Sequence, residues 1–369
     1  MSRDVVAAMT AYTLELREAE IKLNQNESPN DFPAELKQQI LARVAARPWN
    51  LYPDFESLTL RDALARAYGY EAANILVGNG SNELLAATIA TFVGPGTPVV
   101  FPKPTFSLYE KLITIAGGTP IPIPIDPSTG LLPLDAMCNA GGSVIIACSP
   151  NNPTGGVLPP NGIDTLLATG ATVLFDRAYG DFAEDSLPSL HDRLVTFSTF
   201  SKAWGLAALR VGWIASTAAT CREIRKVKLP YSLNIVSEAI AATALENRQV
   251  YERNVSLAIR ERERVFAAME IAGVTPCPSK ANFIFFRVSE PRRVFDALHA
   301  HGVLIREYAD ALRVSIGNPD ENDRFLAALS SVILSRVDGE GSQDARSPHS
   351  EILRRATPAQ DDGIGKERL

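Results

Sequence analysis

The stretch from about residue 98 to 200 constrains the fold most, because short apolar runs recur there with helical stretches between them. Residues 98–101, 144–148, 172–175 and 194–197 are too short for buried helices, and they predict strands covered on both faces. Strands alternating with helices imply an α/β architecture with a largely parallel sheet. Open sheets of this kind bind ligands beyond the carboxyl ends of their strands. The residues that follow these runs are therefore the first place to look for chemistry.

Around this stretch, residues 1–20 read as an N-terminal arm of mixed polarity, followed by the turn-rich segment Asn24-Gln25-Asn26-Glu27-Ser28-Pro29-Asn30. Apolar residues fall at helical spacing over 57–68, and Ser81 is the expected N-cap of a helix carrying Leu84, Leu85, Thr88, Ile89 and Phe92. After a break at Pro230, one long amphipathic stretch over 237–271 leads into a strand at 283–288, a helix at 292–301 and a strand at 312–316. The expected division is an arm with part of a small domain over 1–45, a large domain over 46–235, a small C-terminal domain over 236–337 and a disordered polar tail over 338–369.

Composition excludes several classes of function. A net charge of -6 leaves no general basic footprint for nucleic acid, so anionic ligands must be met by local clusters of cations. Cys138, Cys148, Cys221 and Cys277 form no CxxC pair and have no nearby histidine cluster, which argues against a zinc site or a disulfide framework. No basic-flanked apolar segment opens the chain and no run of roughly 18 apolar residues occurs, so a cytoplasmic protein without a membrane partner is expected.

The strongest local pattern is Ser198-Thr199-Phe200-Ser201-Lys202-Ala203-Trp204-Gly205, with Arg210 eight residues after the lysine. A lysine leaving an apolar strand loses solvation, which lowers its pKa and makes it nucleophilic toward an aldehyde. Thr199, Ser201 and Arg210 can converge on a phosphate, with Arg210 offering a bidentate contact. Gly78-Asn79-Gly80-Ser81-Asn82, just before a helix, supplies free N–H groups and a helix dipole for the same anion. It is not a dinucleotide fingerprint, since Glu83 stands where the third glycine belongs. Ser149-Pro150-Asn151-Asn152 and Phe175-Asp176-Arg177-Ala178-Tyr179 follow two of the apolar runs. Asp176 at a strand end suits a protonated ring nitrogen, and Asn152 and Tyr179 suit a phenolic oxygen. Taken singly, these residues read as a surface lysine, a helix start, a cap and a turn. Their conjunction carries the chemical reading.

Together the segments resemble the aspartate-aminotransferase superfamily of fold type I pyridoxal-phosphate enzymes over residues 22–336. Within it the chain is similar to the histidinol-phosphate aminotransferase family, through Lys22-Leu23-Asn24-Gln25-Asn26-Glu27, Leu51-Tyr52-Pro53-Asp54, Gly78-Asn79-Gly80-Ser81 and Leu312-Arg313-Val314-Ser315-Ile316-Gly317. The resemblance implies a large domain with a mostly parallel seven-stranded sheet flanked by helices, a smaller α/β C-terminal domain, and pyridoxal 5'-phosphate as cofactor. It makes Lys202, Asp176 and Tyr179 catalytic, with Lys202 forming the imine to the cofactor. It assigns Gly80, Ser81, Asn82, Asn152, Thr199, Ser201 and Arg210 to the cofactor as well, with Phe106 stacking on its ring. Tyr52 reaches the phosphate of a neighbouring subunit, which implies a homodimer with composite active sites. Asn26, Arg306 and Arg313 fall on substrate positions, and no metal is implied. The implied reaction moves an amino group from histidinol phosphate to 2-oxoglutarate, giving glutamate, in L-histidine biosynthesis. Aromatic amino acid transamination, decarboxylation of threonine phosphate and, more remotely, a non-catalytic regulatory role use much the same residues. Two positions depart from the family pattern: Arg177 replaces a usual Glu, and Ser28 a commoner Asn.

Overall fold

The computed structural model describes residues 2–11 and 17–334; residues 12–16 of the expected arm and the expected tail over 338–369 lie outside the described residues. Strand β1 (Ile21–Lys22) is followed by helices Ala34–Ala45 and Leu58–Tyr68. The central strands then come in turn: β2 (Ile75–Asn79), β3 (Pro98–Lys103), β4 (Thr119–Pro124), β5 (Val144–Cys148), β6 (Thr172–Asp176), β7 (Leu194–Thr199) and β8 (Val211–Ala215). They form a seven-stranded sheet in the order β2-β8-β7-β6-β5-β3-β4, in which β8 runs antiparallel to both neighbours and the other pairings are parallel. Successive side chains go to opposite faces: Ile146 and Leu174 join one buried cluster, Ile145 and Val173 another. Helices cover both faces, so the strands are apolar throughout rather than alternating.

The four expected strands are present, and each of β3, β6 and β7 runs further than the apolar run alone indicates. In β6 and β7 the extra residues, Asp176 and Ser198–Thr199, are polar groups at the carboxyl edge. Strands β2, β4 and β8 add to the expectation. β4 hides behind three prolines, which an edge strand paired only with β3 tolerates. Ser81 is not the cap expected: its helix runs Ser81–Phe92, and Gly80 takes the N-cap position at φ 77 without a side-chain bond. That left-handed backbone suits glycine, and it frees the Ser81 hydroxyl from capping duty.

The single stretch expected over 237–271 is two helices, Ile235–Glu246 and Arg248–Ile271, divided at Asn247 (φ -118, ψ 50). Asn247 turns its amide back onto the Thr243 carbonyl at 2.8 Å, a local bond that competes with helix continuation. The first helix packs with Leu60, Val77 and Trp213 under the central sheet, whereas Val265 and Met269 of the second pack with Phe286 and Phe325.

The remaining strands are β9 (Thr275–Pro276), β10 (Phe283–Arg287), β11 (Val303–Leu304), β12 (Arg306–Glu307) and β13 (Leu312–Ser315). An antiparallel sheet has the order β12-β13-β10-β9, while β11 pairs in parallel with β1. Helices Pro291–Ala300 and Pro319–Leu334 complete this part. Pairing of β1 with β11, and burial of Ile21 and Leu23 beside Phe286, Leu298 and Phe325, tie the N-terminal segment to the C-terminal sheet. Asn24–Asn26 are thereby laid across the carboxyl edge of the central sheet. Among the described residues no helix is long and apolar enough to cross a membrane, and no cluster of His, Cys, Asp and Glu could hold a metal ion.

Candidate active site

A cavity of about 310 Å³ opens at the ends of β5, β6 and β7, with Asn24, Gln25 and Asn26 on one side and Arg306, Tyr308 and Arg313 on another. Its charged lining residues are Lys202, Arg210, Arg306 and Arg313 against Asp176. A protein of net negative charge thus concentrates positive charge in one enclosed place, which attracts anionic ligands.

Lys202 sits in the tight loop after β7. Buried Phe200, Ala203 and Trp204 anchor that loop, and Phe200 N–H donates to the Val211 carbonyl at 3.0 Å. The lysine Nζ donates to the Gln25 carbonyl at 2.9 Å and lies 5.7 Å from the centre of the Tyr179 ring. Burial, reinforced by the Arg313 and Arg210 charges and opposed by Glu27, pushes the amine down to about 7. A substantial fraction is therefore neutral and nucleophilic near neutral pH.

Asp176, at the end of β6, is held through both carboxylate oxygens. Tyr109 donates its hydroxyl to Oδ2 at 2.6 Å, and Ala178 its backbone N–H to Oδ1 at 2.9 Å. Burial pushes the carboxyl pKa up, and these two bonds oppose that rise. Phe106 lines the cavity and packs edge-on against Tyr109, with ring centroids 5.6 Å apart. Tyr179 is buried beneath Phe283 and accepts a hydrogen bond from Asn26 Nδ2 at 3.0 Å.

At the far side of Lys202, Ser81, Asn82, Thr199, Ser201 and Arg210 line a polar cup. Thr199 Oγ1 and Ser201 Oγ are 3.0 Å apart, and Arg210 Nη1 donates to Ser201 Oγ at 3.2 Å. Gly80 borders this cup rather than lining it. A Cβ there would stand 2.6 Å from Arg210 Nη2, and one at Gly212 would stand 2.2 Å from the Ser81 nitrogen. Both glycines are needed for two backbones and a guanidinium to crowd around the cup. Amine, buried carboxylate, stacking ring and phosphate cup fit pyridoxal phosphate.

On the substrate side, Arg306 and Arg313 are cross-strand partners of β12 and β13, so their side chains share one face. Arg313 is buried; Nη2 donates to the Asn24 carbonyl at 2.8 Å, and Nη1 to Tyr308 Oη at 3.1 Å and to Asn152 Oδ1. Its Nε has no partner. Asn26 adopts a left-handed backbone (φ 55) fixed by Ser315, Asn282 and Tyr179, which places it between the two halves of the cavity.

The sequence profile of the class I and II aminotransferases matches residues 18–329. This chain belongs to that family. Among its relatives, the histidinol-phosphate aminotransferase of Chlorobium luteolum is 36% identical over 330 residues, covering 85% of this chain and 92% of that protein. The protein of the same name from Chlorobaculum tepidum is 36% identical over 331 residues, covering 85% and 94%. The solved structure of histidinol-phosphate aminotransferase from Sinorhizobium meliloti in complex with pyridoxal-5'-phosphate superposes with a TM-score of 0.82 at 26% identity, covering 90% of this chain and 97% of that one. The architecture is that of the fold type I transferases.

Of the residues expected at the aminotransferase site, thirteen line the cavity: Asn26, Ser81, Asn82, Phe106, Asn152, Asp176, Tyr179, Thr199, Ser201, Lys202, Arg210, Arg306 and Arg313. Gly80 adjoins it through Arg210. Tyr52 stands apart, 80% exposed and stacked on Tyr231 at 4.6 Å. Arg177 does not line the cavity either; it is buried and donates to the Asp185 carbonyl at 2.7 Å, with Gly180 leaving room for its guanidinium. Ser28 closes a local turn with Asn30. Sequence reasoning missed Tyr109, Tyr308 and the Gln25 carbonyl. Tyr109 follows Phe106 by three residues, and a turn closed by its N–H on the Phe106 carbonyl at 3.1 Å brings the two rings together. Tyr308 lies in the short connection between the two arginines.

Proposed function

We propose that this aminotransferase moves the amino group of histidinol phosphate to 2-oxoglutarate, and that the residues lining the cavity carry the reaction. The observation that carries this reading is the buried Arg313, whose Nε lacks a partner, beside Arg306 in the same cavity as Lys202. Together the two guanidiniums form a seat for an anion of the size of phosphate or carboxylate. The names of the relatives supply the donor. Product analysis with histidinol phosphate, phenylalanine and threonine phosphate offered separately tests it. Glutamate formation fastest with histidinol phosphate is expected. Preference for phenylalanine, or release of carbon dioxide from threonine phosphate, overturns the donor. A visible absorption band that shifts with no amine overturns catalysis.

Pyridoxal phosphate, when bound, supplies an electrophilic carbon for the amine and an electron-accepting ring. Lys202 would hold it through Nζ, and the same Nζ would move a proton to and from the amine-bearing carbon of the donor. Asp176 would favour positive charge on the ring nitrogen, and Phe106 would stack on the ring. Asn152 and Tyr179 orient the phenolic oxygen. Ser81, Asn82, Thr199, Ser201 and Arg210 bind the phosphate, with the N-terminus of helix Ser81–Phe92 aimed at it. Asn26 covers the donor and excludes water. Arg313 binds the donor's phosphate in one half-reaction and the acceptor's carboxylate in the other, with Arg306 beside it.

We also propose a homodimer with composite sites. Trp49, Leu51, Tyr52, Phe55 and Leu229 are exposed apolar side chains, a liability that a second copy of the chain would cover. Tyr52 from one protomer then completes the phosphate site of its partner. Mixing Lys202→Ala chains with a Tyr52→Phe variant that is itself impaired should restore roughly a quarter of wild-type activity, since half the dimers are mixed and each has one intact site. Subunit exchange without recovery would show that Tyr52 does not act across the interface.

A further inference from the structure

Tyr109 has no part in the chemistry described above, yet it touches two residues that do. It is fully buried in helix Leu108–Ala116, and its hydroxyl donates to Asp176 Oδ2 at 2.6 Å. Its ring meets Phe106 at 86°, with centroids 5.6 Å apart. Phe106 precedes the helix by two residues, and a turn in which the Tyr109 N–H donates to the Phe106 carbonyl at 3.1 Å brings the two aromatics together.

We infer that Tyr109 is a positioning residue for the cofactor: its hydroxyl aims the Asp176 carboxylate at the ring nitrogen while its ring braces Phe106 against the ring face. The inference rests on the reading that this cavity binds pyridoxal phosphate.

The physical case runs through Asp176. A carboxylate with one oxygen tied to a backbone N–H can still swing about its own axis, and a second donor removes that freedom. Asp176 has both donors, one from its own turn and one from a helix on a different strand connection. The Tyr109 proton is well placed to stay where it is, because burial and the Asp176 charge push the phenol well above its ordinary range. Cys148, the other titratable group against this pair, is likewise pushed up by burial and by Asp176, so its thiol remains protonated. Asp176 thus faces donors on the protein side, and both hydrogen bonds oppose the rise that burial imposes on its carboxyl.

The test measures binding of pyridoxamine phosphate to the full-length protein by equilibrium titration. This ligand has no aldehyde, so the chemistry of Lys202 does not contribute. Binding by the wild type checks the site reading on its own. Tyr109→Phe keeps the ring and loses the hydroxyl, and it should bind roughly 10-fold more weakly, as expected for the loss of one charge-assisted hydrogen bond. In an Asp176→Asn background, or with an analogue whose ring nitrogen is replaced by C–H, the same substitution should cost less than about 2-fold. The same titrations on Tyr109→Leu, which removes the donor with a different volume, guard against a folding defect peculiar to one substitution. Equal weakening in both backgrounds, or none in the wild-type background, overturns the inference.

Discussion

Replacing Lys202 with alanine leaves a folded protein that turns over about 10⁴-fold more slowly, the upper end of what one positioned proton-transfer group contributes. The fold survives because the side chain supplies one hydrogen bond, to the Gln25 carbonyl, and is otherwise a cation held against its preference. The sign follows from that preference. The folded amine titrates at about 7, below its unfolded value, so the folded chain binds fewer protons between the two and stability rises with pH across that window. The cofactor-free alanine variant should therefore match or exceed wild-type thermal stability, most visibly below pH 7. In the wild type, covalent uptake of pyridoxal phosphate needs the neutral amine, so its rate should climb as pH rises through about 7 and then level off. Lys228 is also shifted down by burial, but it borders a separate hollow of about 40 Å³, too small for the cofactor. Borohydride reduction followed by peptide mass analysis should label Lys202. An adduct on Lys103, Lys226, Lys228 or Lys280 would sink the assignment.

How much of this was legible without coordinates depends on how local each signal is. Strands β5, β6 and β7 announce themselves as apolar runs ending in chemically distinctive residues, so Asp176 and Lys202 could be placed at the carboxyl edge from order alone. β8 was hidden because the motif that carries Arg210 runs straight into it. β4 was hidden because its prolines are acceptable only at an edge, and edge position is a property of the sheet order. Ser81 shows the limit of capping rules: the sequence pattern for an N-cap is present, but the N-cap position falls on Gly80, whose positive φ and contact with Arg210 leave no room for a side chain. Tyr109 and Gln25 act through contacts 67 and 177 residues away in sequence, which no local window reveals. The Arg306 and Arg313 pairing needed the register of β12 against β13.

Arg313→Ala should lower kcat/KM for both half-reactions by roughly 30- to 5,000-fold, the range for losing a bidentate, charge-assisted contact in a closed site. Both fall because one guanidinium is assigned to the donor's phosphate and the acceptor's carboxylate in turn. Cofactor loading should persist. Of the groups assigned to the cofactor, Arg313 hydrogen-bonds only Asn152, and the Asn24 and Asn152 oxygens it would leave behind border a cavity that water can enter. Arg313→Lys should recover part of the loss, since an ammonium keeps the charge but not the fork. A second consequence separates this account from a general loosening of the site. The Arg313 charge helps to hold the Lys202 amine down. Removing a nearby positive charge favours the protonated form, so the pH midpoint for pyridoxal phosphate uptake should move upward in Arg313→Ala and return toward wild type in Arg313→Lys. Single-turnover assays that find only one half-reaction impaired would refute the shared seat, and an unmoved midpoint would refute the coupling between the two cations.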